Sequence, residues 1–122
     1  MLARTKGDKV ERFALKYLTR KGLSLIEQNF NSRYGEIDLV MLDKSTLVFV
    51  EVRFRAKSSH GSGAESVDYR KQQKIIKTAH IFLQQAKNMQ HLNCRFDVVS
   101  VTLQHRLLSA DWFQDAFQLH GW

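Results

Sequence analysis

One nearly continuous apolar run, interrupted by a single acid, constrains the fold most. Residues 47–52 read Leu-Val-Phe-Val-Glu-Val, with five apolar residues around Glu51. Runs rich in β-branched and aromatic residues, without polar alternation, are typical of strands covered on both faces. The sequence therefore predicts a buried central strand over about Leu47–Phe54, in a sheet that has helices packed on it.

A second strand is predicted directly before this one. Glu36–Leu42 is followed by the turn Asp43-Lys44-Ser45, so the two strands should form a hairpin. In an antiparallel hairpin, the residue numbers of paired positions have a constant sum. Positions 38 and 51 have the same sum as positions 43 and 46, which bracket the turn. Because strand side chains alternate between faces, Asp38 and Glu51 can meet on one face in this register, and a slip of one residue would separate them.

A helix is predicted at the start of the chain. Its apolar residues recur at helical spacing: Val10, Phe13, Ala14, Tyr17 and Leu18. The predicted bounds are Asp8 to Lys21, with Asp8 as the N-cap and Gly22 as the residue that ends the helix.

Four further segments complete the prediction. We expect a short strand over Leu23–Phe30, a loop over Ala56–Ser66, a long helix over Val67–Met89 and a strand over Arg95–Leu103. Asp97 on the last strand is interpreted as structural, paired with an arginine. The aromatic tail is expected to pack as a short helix or cap; its large residues are Trp112, Phe113, Phe117 and Trp122. These elements give one domain over residues 1–122, a mixed sheet flanked by helices in the order α-β-β-β-α-β.

The charge balance indicates a polyanionic partner. The chain has 19 Lys and Arg against 12 Asp and Glu, a formal net charge of +7. Nucleic acid is the first expectation, and a basic but functionally neutral surface is the alternative. A lone cysteine, Cys94, excludes an internal disulfide and is expected to be a buried thiol. No segment resembles a signal peptide or a membrane span, so we expect a cytoplasmic protein.

The position of Glu51 indicates chemistry. A carboxylate inside an apolar strand is costly unless it is paired or binds a metal. Asp38 and Glu51 converging on one point would repel each other, and Mg²⁺, which prefers oxygen ligands, would remove that repulsion. The alternative is an ion pair of these acids with Arg53, Arg55 or Arg33 on the sheet face.

Three segments carry a resemblance to a known family. They are Gly35-Glu36-Ile37-Asp38-Leu39-Val40, Leu47-Val48-Phe49-Val50-Glu51-Val52-Arg53-Phe54-Arg55 and Arg95-Phe96-Asp97-Val98-Val99. In this order they resemble the YraN family of bacterial proteins, over nearly the whole chain. That family is similar to Holliday-junction resolvases within the PD-(D/E)XK nuclease superfamily. The resemblance implies a restriction-endonuclease-like fold.

The resemblance also implies site residues. Asp38 and Glu51 match the metal-binding, catalytic carboxylates, and Glu11 matches an extra catalytic and metal-binding acid of resolvase-like members. Glu36 would be an accessory acid. For Glu11 the alternative is an ordinary solvated helix residue. Arg53 stands where the superfamily has its catalytic lysine. Arginine can hold phosphate but cannot act as a general base, so Lys71 or Lys74 could supply the amine.

The function implied by the resemblance is cleavage of DNA, including branched or Holliday-junction DNA, with Mg²⁺ or Mn²⁺. A homodimer is also implied, because symmetric cutting of two strands needs two sites. The alternative is a non-catalytic nucleic-acid-binding protein that keeps the fold, since Arg53 replaces the lysine. A protein-interaction domain without a nucleic-acid role is the third option. Basic residues are expected to bind the phosphate backbone of the nucleic acid. The alternative is that those on the helix form an ordinary solvated face. The residues are Arg55, Arg70, Lys71, Lys74 and Lys77.

Overall fold

The structure is a computed structural model that describes residues 5–55 and 67–117. Two α-helices, five strands and one short 3-10 helix account for most of these residues. Their bounds are α1 Thr5–Arg20, β1 Ser24–Ser32, β2 Gly35–Asp43, β3 Thr46–Arg55, α2 Tyr69–Gln85, the 3-10 helix Lys87–Met89, β4 Asn93–Gln104 and β5 Leu107–Phe117. The predicted loop over residues 56–66 and the aromatic Trp122 lie outside the described residues.

The strands form one sheet in chain order, β1-β2-β3-β4-β5. Neighbours are antiparallel except β3 and β4, which run parallel and are connected through α2. The predicted register of the β2–β3 hairpin is confirmed, because Leu39 pairs with Val50 and Asp43 with Thr46. β3 is central, as its apolar run predicts.

The two helices cover opposite faces of the sheet. From α2, Ile75, Ala79 and Phe82 are buried in a cluster that contains Phe49. From α1, Val10, Ala14 and Leu18 join a second cluster, which contains Val48 and Val50. Because side chains alternate along β3, Glu51 lies on the Phe49 side, toward α2.

Helix ends follow local hydrogen bonding. Gly22 has a φ of 103° and follows α1, where the Leu23 amide donates to the Leu18 carbonyl at 3.1 Å. This is the glycine-terminated helix end that the sequence predicts. The predicted N-cap at Asp8 is wrong, because α1 begins at Thr5 and Asp8 lies in its first turn. At α2 the Asp68 carboxylate caps the helix by accepting from the Lys71 amide.

The predicted helical or capping tail is wrong. Residues Leu107–Phe117 form β5, an edge strand antiparallel to β4, so the order gains a fifth strand. The chain reverses through His105 and Arg106, whose φ values are 51° and 66°. Two-residue hairpins need such left-handed residues, which are usually Asn or Gly. The predicted long helix is also too long, because α2 ends at Gln85 and only a short 3-10 helix continues it.

A buried acid ties β4 to β2 and β5. Asp97 is fully buried and accepts hydrogen bonds from Arg95 Nε, Trp112 Nε1 and the Asp115 amide, at 2.8–3.2 Å. Arg95 also donates to Asp43 at 3.0 Å. The predicted pairing of Asp97 with an arginine is confirmed, and the network fixes the hairpin end of the sheet.

Two smaller expectations concern Cys94 and the membrane. Cys94 is half-buried and its Sγ donates weakly to the Leu92 carbonyl, and burial raises the pKa of the thiol. Neither described helix has the length and apolar character needed to span a bilayer.

Candidate functional site

Asp38 lies where the β2–β3 ladder stops. The last ladder pair is Leu39 with Val50, and beyond it the Val52 amide donates to Asp38 Oδ2 at 2.7 Å. On the other side, Asn29 of β1 adopts a φ of 52° opposite Asp38 and is skipped in the β1–β2 pairing. The Asp38 carboxylate therefore takes the place of a backbone carbonyl as the acceptor for the Val52 amide. It lies where the strands of the sheet locally separate.

Glu51 lies one residue beyond the last ladder pair, on the face covered by α2. Its side chain is only 5% exposed, and its Oε2 is 2.9 Å from Lys71 Nζ. Lys71 lies in the first turn of α2 and remains half-exposed. The buried carboxylate thus has a cation partner from the helix, rather than from Arg53, Arg55 or Arg33 as the ion-pair alternative supposed.

Asp38 and Glu51 open into one cavity of about 270 Å³. The cavity is also lined by Tyr34, Gly35, Glu36, Lys71, Lys74 and Ile75. The structure therefore brings the two carboxylates together at one concave surface, with Glu36 beside them and two lysines on the helix side.

The surroundings of Asp38 disfavour its charge. Burial, followed by the negative charge of Glu51, raises the pKa of Asp38 from 3.8 to about 8. The Val52 amide opposes this shift, and Glu11 and Glu36 add to it. Desolvation and like charge both favour the neutral acid, whereas an added cation at this point would favour the ionised carboxylate.

Glu11 reaches the same region from α1. It is 7% exposed, which contradicts the solvated-helix alternative, and its Oε1 accepts from Asn29 Nδ2 at 2.9 Å. It lines a separate cavity of about 120 Å³ that also contacts Val52. In the described ranges, no three His, Cys, Asp or Glu side chains are arranged as a group that could hold a metal ion.

The predicted basic residues divide into two sets. Lys71 and Lys74 line the cavity, whereas Arg70 and Lys77 are exposed elsewhere on α2. Arg53 and Arg55 are half-buried on β3 and are not among the described residues that line the cavity. The structure therefore brings helix lysines, not the strand arginines, next to the two carboxylates.

Sequence reasoning missed Tyr34 and Asn29. Tyr34 lies in the β1–β2 turn and lines the cavity, and Asn29 positions Glu11. An aromatic residue inside a polar turn directly before Gly35-Glu36 was the available signal for Tyr34. The left-handed conformation of Asn29 had no signal in the sequence beyond the tolerance of asparagine for that region.

Comparison with known proteins places the chain in a family. Residues 10–101 match the model of uncharacterised protein family UPF0102. A UPF0102 protein of Stutzerimonas stutzeri is 46% identical over 116 residues, 95% of this chain and 97% of that protein. One from Pseudomonas savastanoi pv. phaseolicola is 49% identical over 91% of both chains, and one from Nitrosococcus oceani is 40% identical over 97% of this chain and 95% of the other. The chain therefore belongs to family UPF0102, the YraN family.

Proposed function

We propose that this protein is a metal-dependent DNA endonuclease with a PD-(D/E)XK-type fold, in which Asp38 and Glu51 hold Mg²⁺ or Mn²⁺. The observation that carries the proposal is that the buried carboxylate of Glu51 and the half-buried carboxylate of Asp38, from neighbouring strands, open into one cavity that two lysines also line. An ordinary structural ion pair would not need a second acid beside it.

The donor set fits a hard divalent cation. Asp38 and Glu51 supply oxygen ligands, and Mg²⁺ is commonly bound by one or two carboxylates together with waters and substrate phosphates. Two protein ligands are therefore enough, although no ready group of three is present among the described side chains. When bound, such an ion polarises a phosphoryl oxygen and lowers the pKa of a coordinated water. Glu36 and Glu11 lie close enough for their negative charges to raise the pKa of Asp38, so they also add to the negative potential that a cation would meet there.

Lys71 can supply the amine that the motif lysine would provide and that Arg53 lacks. Its ammonium contacts Glu51 at 2.9 Å, so it neutralises and orients that ligand. A lysine can exchange a proton near a reacting phosphate, whereas an arginine remains charged. Lys74, on the same cavity, can bind a phosphate oxygen. Lys71 currently occupies one oxygen of Glu51, so metal binding requires this ion pair to open or to be shared.

The substrate class follows from charge. A net charge of +7 and exposed cations along α2 suit a polyanion, and DNA, including branched DNA, is our proposed substrate. Symmetric cutting of a four-way junction would need a homodimer, which sedimentation analysis can detect.

The test is a cleavage panel of linear, flap and four-way DNA with Mg²⁺, Mn²⁺ or EDTA. We expect cleavage by the wild type with metal and none by Glu51→Gln, which removes the charge but keeps an oxygen for Lys71. Glu27→Gln, an exposed position on β1, is the matched control and should cut normally. Cleavage that survives in Glu51→Gln would show that a contaminant is responsible.

A second candidate is a non-catalytic nucleic-acid-binding protein. The observation that favours it is the pairing of Lys71 with Glu51, together with Arg53 in place of the motif lysine. It predicts salt-sensitive DNA binding with no cleavage under any metal condition, and that outcome would replace the nuclease proposal.

A further inference from the structure

The turn between β1 and β2 is locked to helix α2. The Thr78 hydroxyl, fully buried, donates to the Lys74 carbonyl at 2.8 Å and lies 2.8 Å from the Ser32 hydroxyl. Ser32 Oγ in turn accepts from the Tyr34 amide at 3.0 Å. Gly35 passes close to the helix, since a Cβ built there would lie 3.8 Å from Lys74 Cβ. The turn is therefore held in a fixed position against one side of α2.

This fixed turn presents Tyr34 to two cations. The Arg33 guanidinium carbon lies 5.0 Å from the centre of the Tyr34 ring, and Lys77 Nζ lies 5.2 Å from it. Arg33 Nη2 also donates to the Tyr34 hydroxyl at 3.0 Å. Both cations are within the range of cation–π attraction. The ring therefore holds one cation from the β1–β2 turn and one from α2 close together.

The positive charges of Arg33 and Lys77 are not neutralised within the described part of the chain. There, neither Arg33 nor Lys77 forms an ion pair with a carboxylate, and both side chains are exposed. Two cations held at one ring repel each other, and a bound anion would remove that cost. The cluster is therefore suited to an anionic group.

The cluster continues the carboxylate cavity. Tyr34 lines that cavity, and so do Lys71 and Lys74, which precede Lys77 at intervals of three residues on α2. At 1.5 Å per residue, the three lysines extend about 9 Å along the helix axis. A surface of this length exceeds one phosphate group, so it suits a chain of phosphates better than a free phosphate ion.

We propose that Arg33, Tyr34 and Lys77 form a docking surface for the phosphate backbone of a polynucleotide strand, beside the phosphodiester that enters the carboxylate cavity. The proposal rests on the proposed function for the identity of the polyanion, and it adds the path that the strand takes. Tyr34 is a positioning residue here, because it fixes the two cations that contact the phosphates.

The experiment measures DNA binding without catalysis. Fluorescence anisotropy with a labelled single strand and a labelled four-way junction is followed in EDTA over a salt series. The double variant Arg33→Gln/Lys77→Gln is compared with Lys44→Gln/Lys87→Gln, which removes the same charge at two exposed positions away from the cluster. Each lost phosphate contact should lower the salt slope by about 0.7 to 0.9. We therefore expect affinity to fall about tenfold or more at about 0.1 M salt for the cluster variant, and less than about twofold for the control.

A third variant separates geometry from charge. Tyr34→Leu keeps both cations but removes the ring, so we expect weaker binding with an unchanged net charge, while thermal melting reports on the fold. Equal losses in the two double variants would show that only net charge matters and would overturn the proposal, as would the absence of DNA binding at low salt. These outcomes are independent of cleavage: a protein that binds through the cluster but never cuts DNA contradicts the nuclease proposal alone.

Discussion

Replacing Asp38 with asparagine tests the electrostatic state of the candidate site directly. Asparagine keeps an oxygen that can accept the Val52 amide hydrogen bond, which is 2.7 Å long in the wild type. It removes the charge that burial and Glu51 disfavour. The substitution therefore leaves the local opening of the sheet in place and changes only whether the group can ionise.

The expected effect depends on pH. The pKa of Asp38 is raised from 3.8 to about 8, so the folded protein retains this proton over a range in which the unfolded chain has lost it. The stability that Asp38 contributes is therefore full below about pH 4 and is lost as the pH rises toward 8. At about 1.4 kcal/mol per pH unit, the loss between about pH 5 and pH 8 is about 4 kcal/mol. Asparagine does not titrate and escapes this loss.

Urea unfolding at about pH 5 and pH 9, in EDTA, measures the difference. We expect the free energy of unfolding of Asp38→Asn, relative to that of the wild type, to be about 4 kcal/mol higher at the upper pH than at the lower pH. Asp111→Asn, at an exposed position of β5, is the control and should follow the wild type. A difference that stays constant between the two pH values would refute the view that Asp38 is held neutral. Under the proposed function, added Mg²⁺ should stabilise the wild type and the Asp111→Asn control but not Asp38→Asn.

Two further predictions concern buried charges. Asp97→Asn removes the negative charge that pairs with Arg95 inside the protein. We expect the free energy of unfolding, measured with urea, to fall by about 3 kcal/mol or more. A fall of less than about 1 kcal/mol would contradict this. Lys71→Met removes the cation that competes for Glu51, so we expect tighter Mn²⁺ binding by calorimetry together with slower DNA cleavage. Weaker Mn²⁺ binding in that variant would show that the ammonium does not compete with the metal.

The hairpin was predictable because its signals are local. The alternation of side chains and the short turn after Asp43 fix the pairing of Leu39 with Val50, and the apolar run around Glu51 identifies the central strand. β5 was not predictable in the same way, because His105 and Arg106 take left-handed conformations without an asparagine or glycine to indicate them. The end of α2 at Gln85 also has no glycine or proline as a signal.

The candidate site was only partly predictable for a similar reason. The sequence placed Asp38 and Glu51 on one face, but these two residues do not form a ladder pair. The contact of Asp38 with the Val52 amide depends on the strands parting after Leu39. The choice of Lys71 over Lys74 as the partner of Glu51 depends on the rotation of α2 against the sheet, which residue spacing does not determine.

The hydrogen bond between Val52 and Asp38 also gives the site its own spectroscopic reporter. An amide proton that points at a carboxylate changes its chemical shift when that carboxylate gains a proton, loses one or binds a cation. The Val52 resonance in a ¹⁵N-labelled sample should therefore follow the state of Asp38, without any probe attached to the protein. Titration of pH and titration of metal would then separate proton release by Asp38 from metal binding at the same carboxylate.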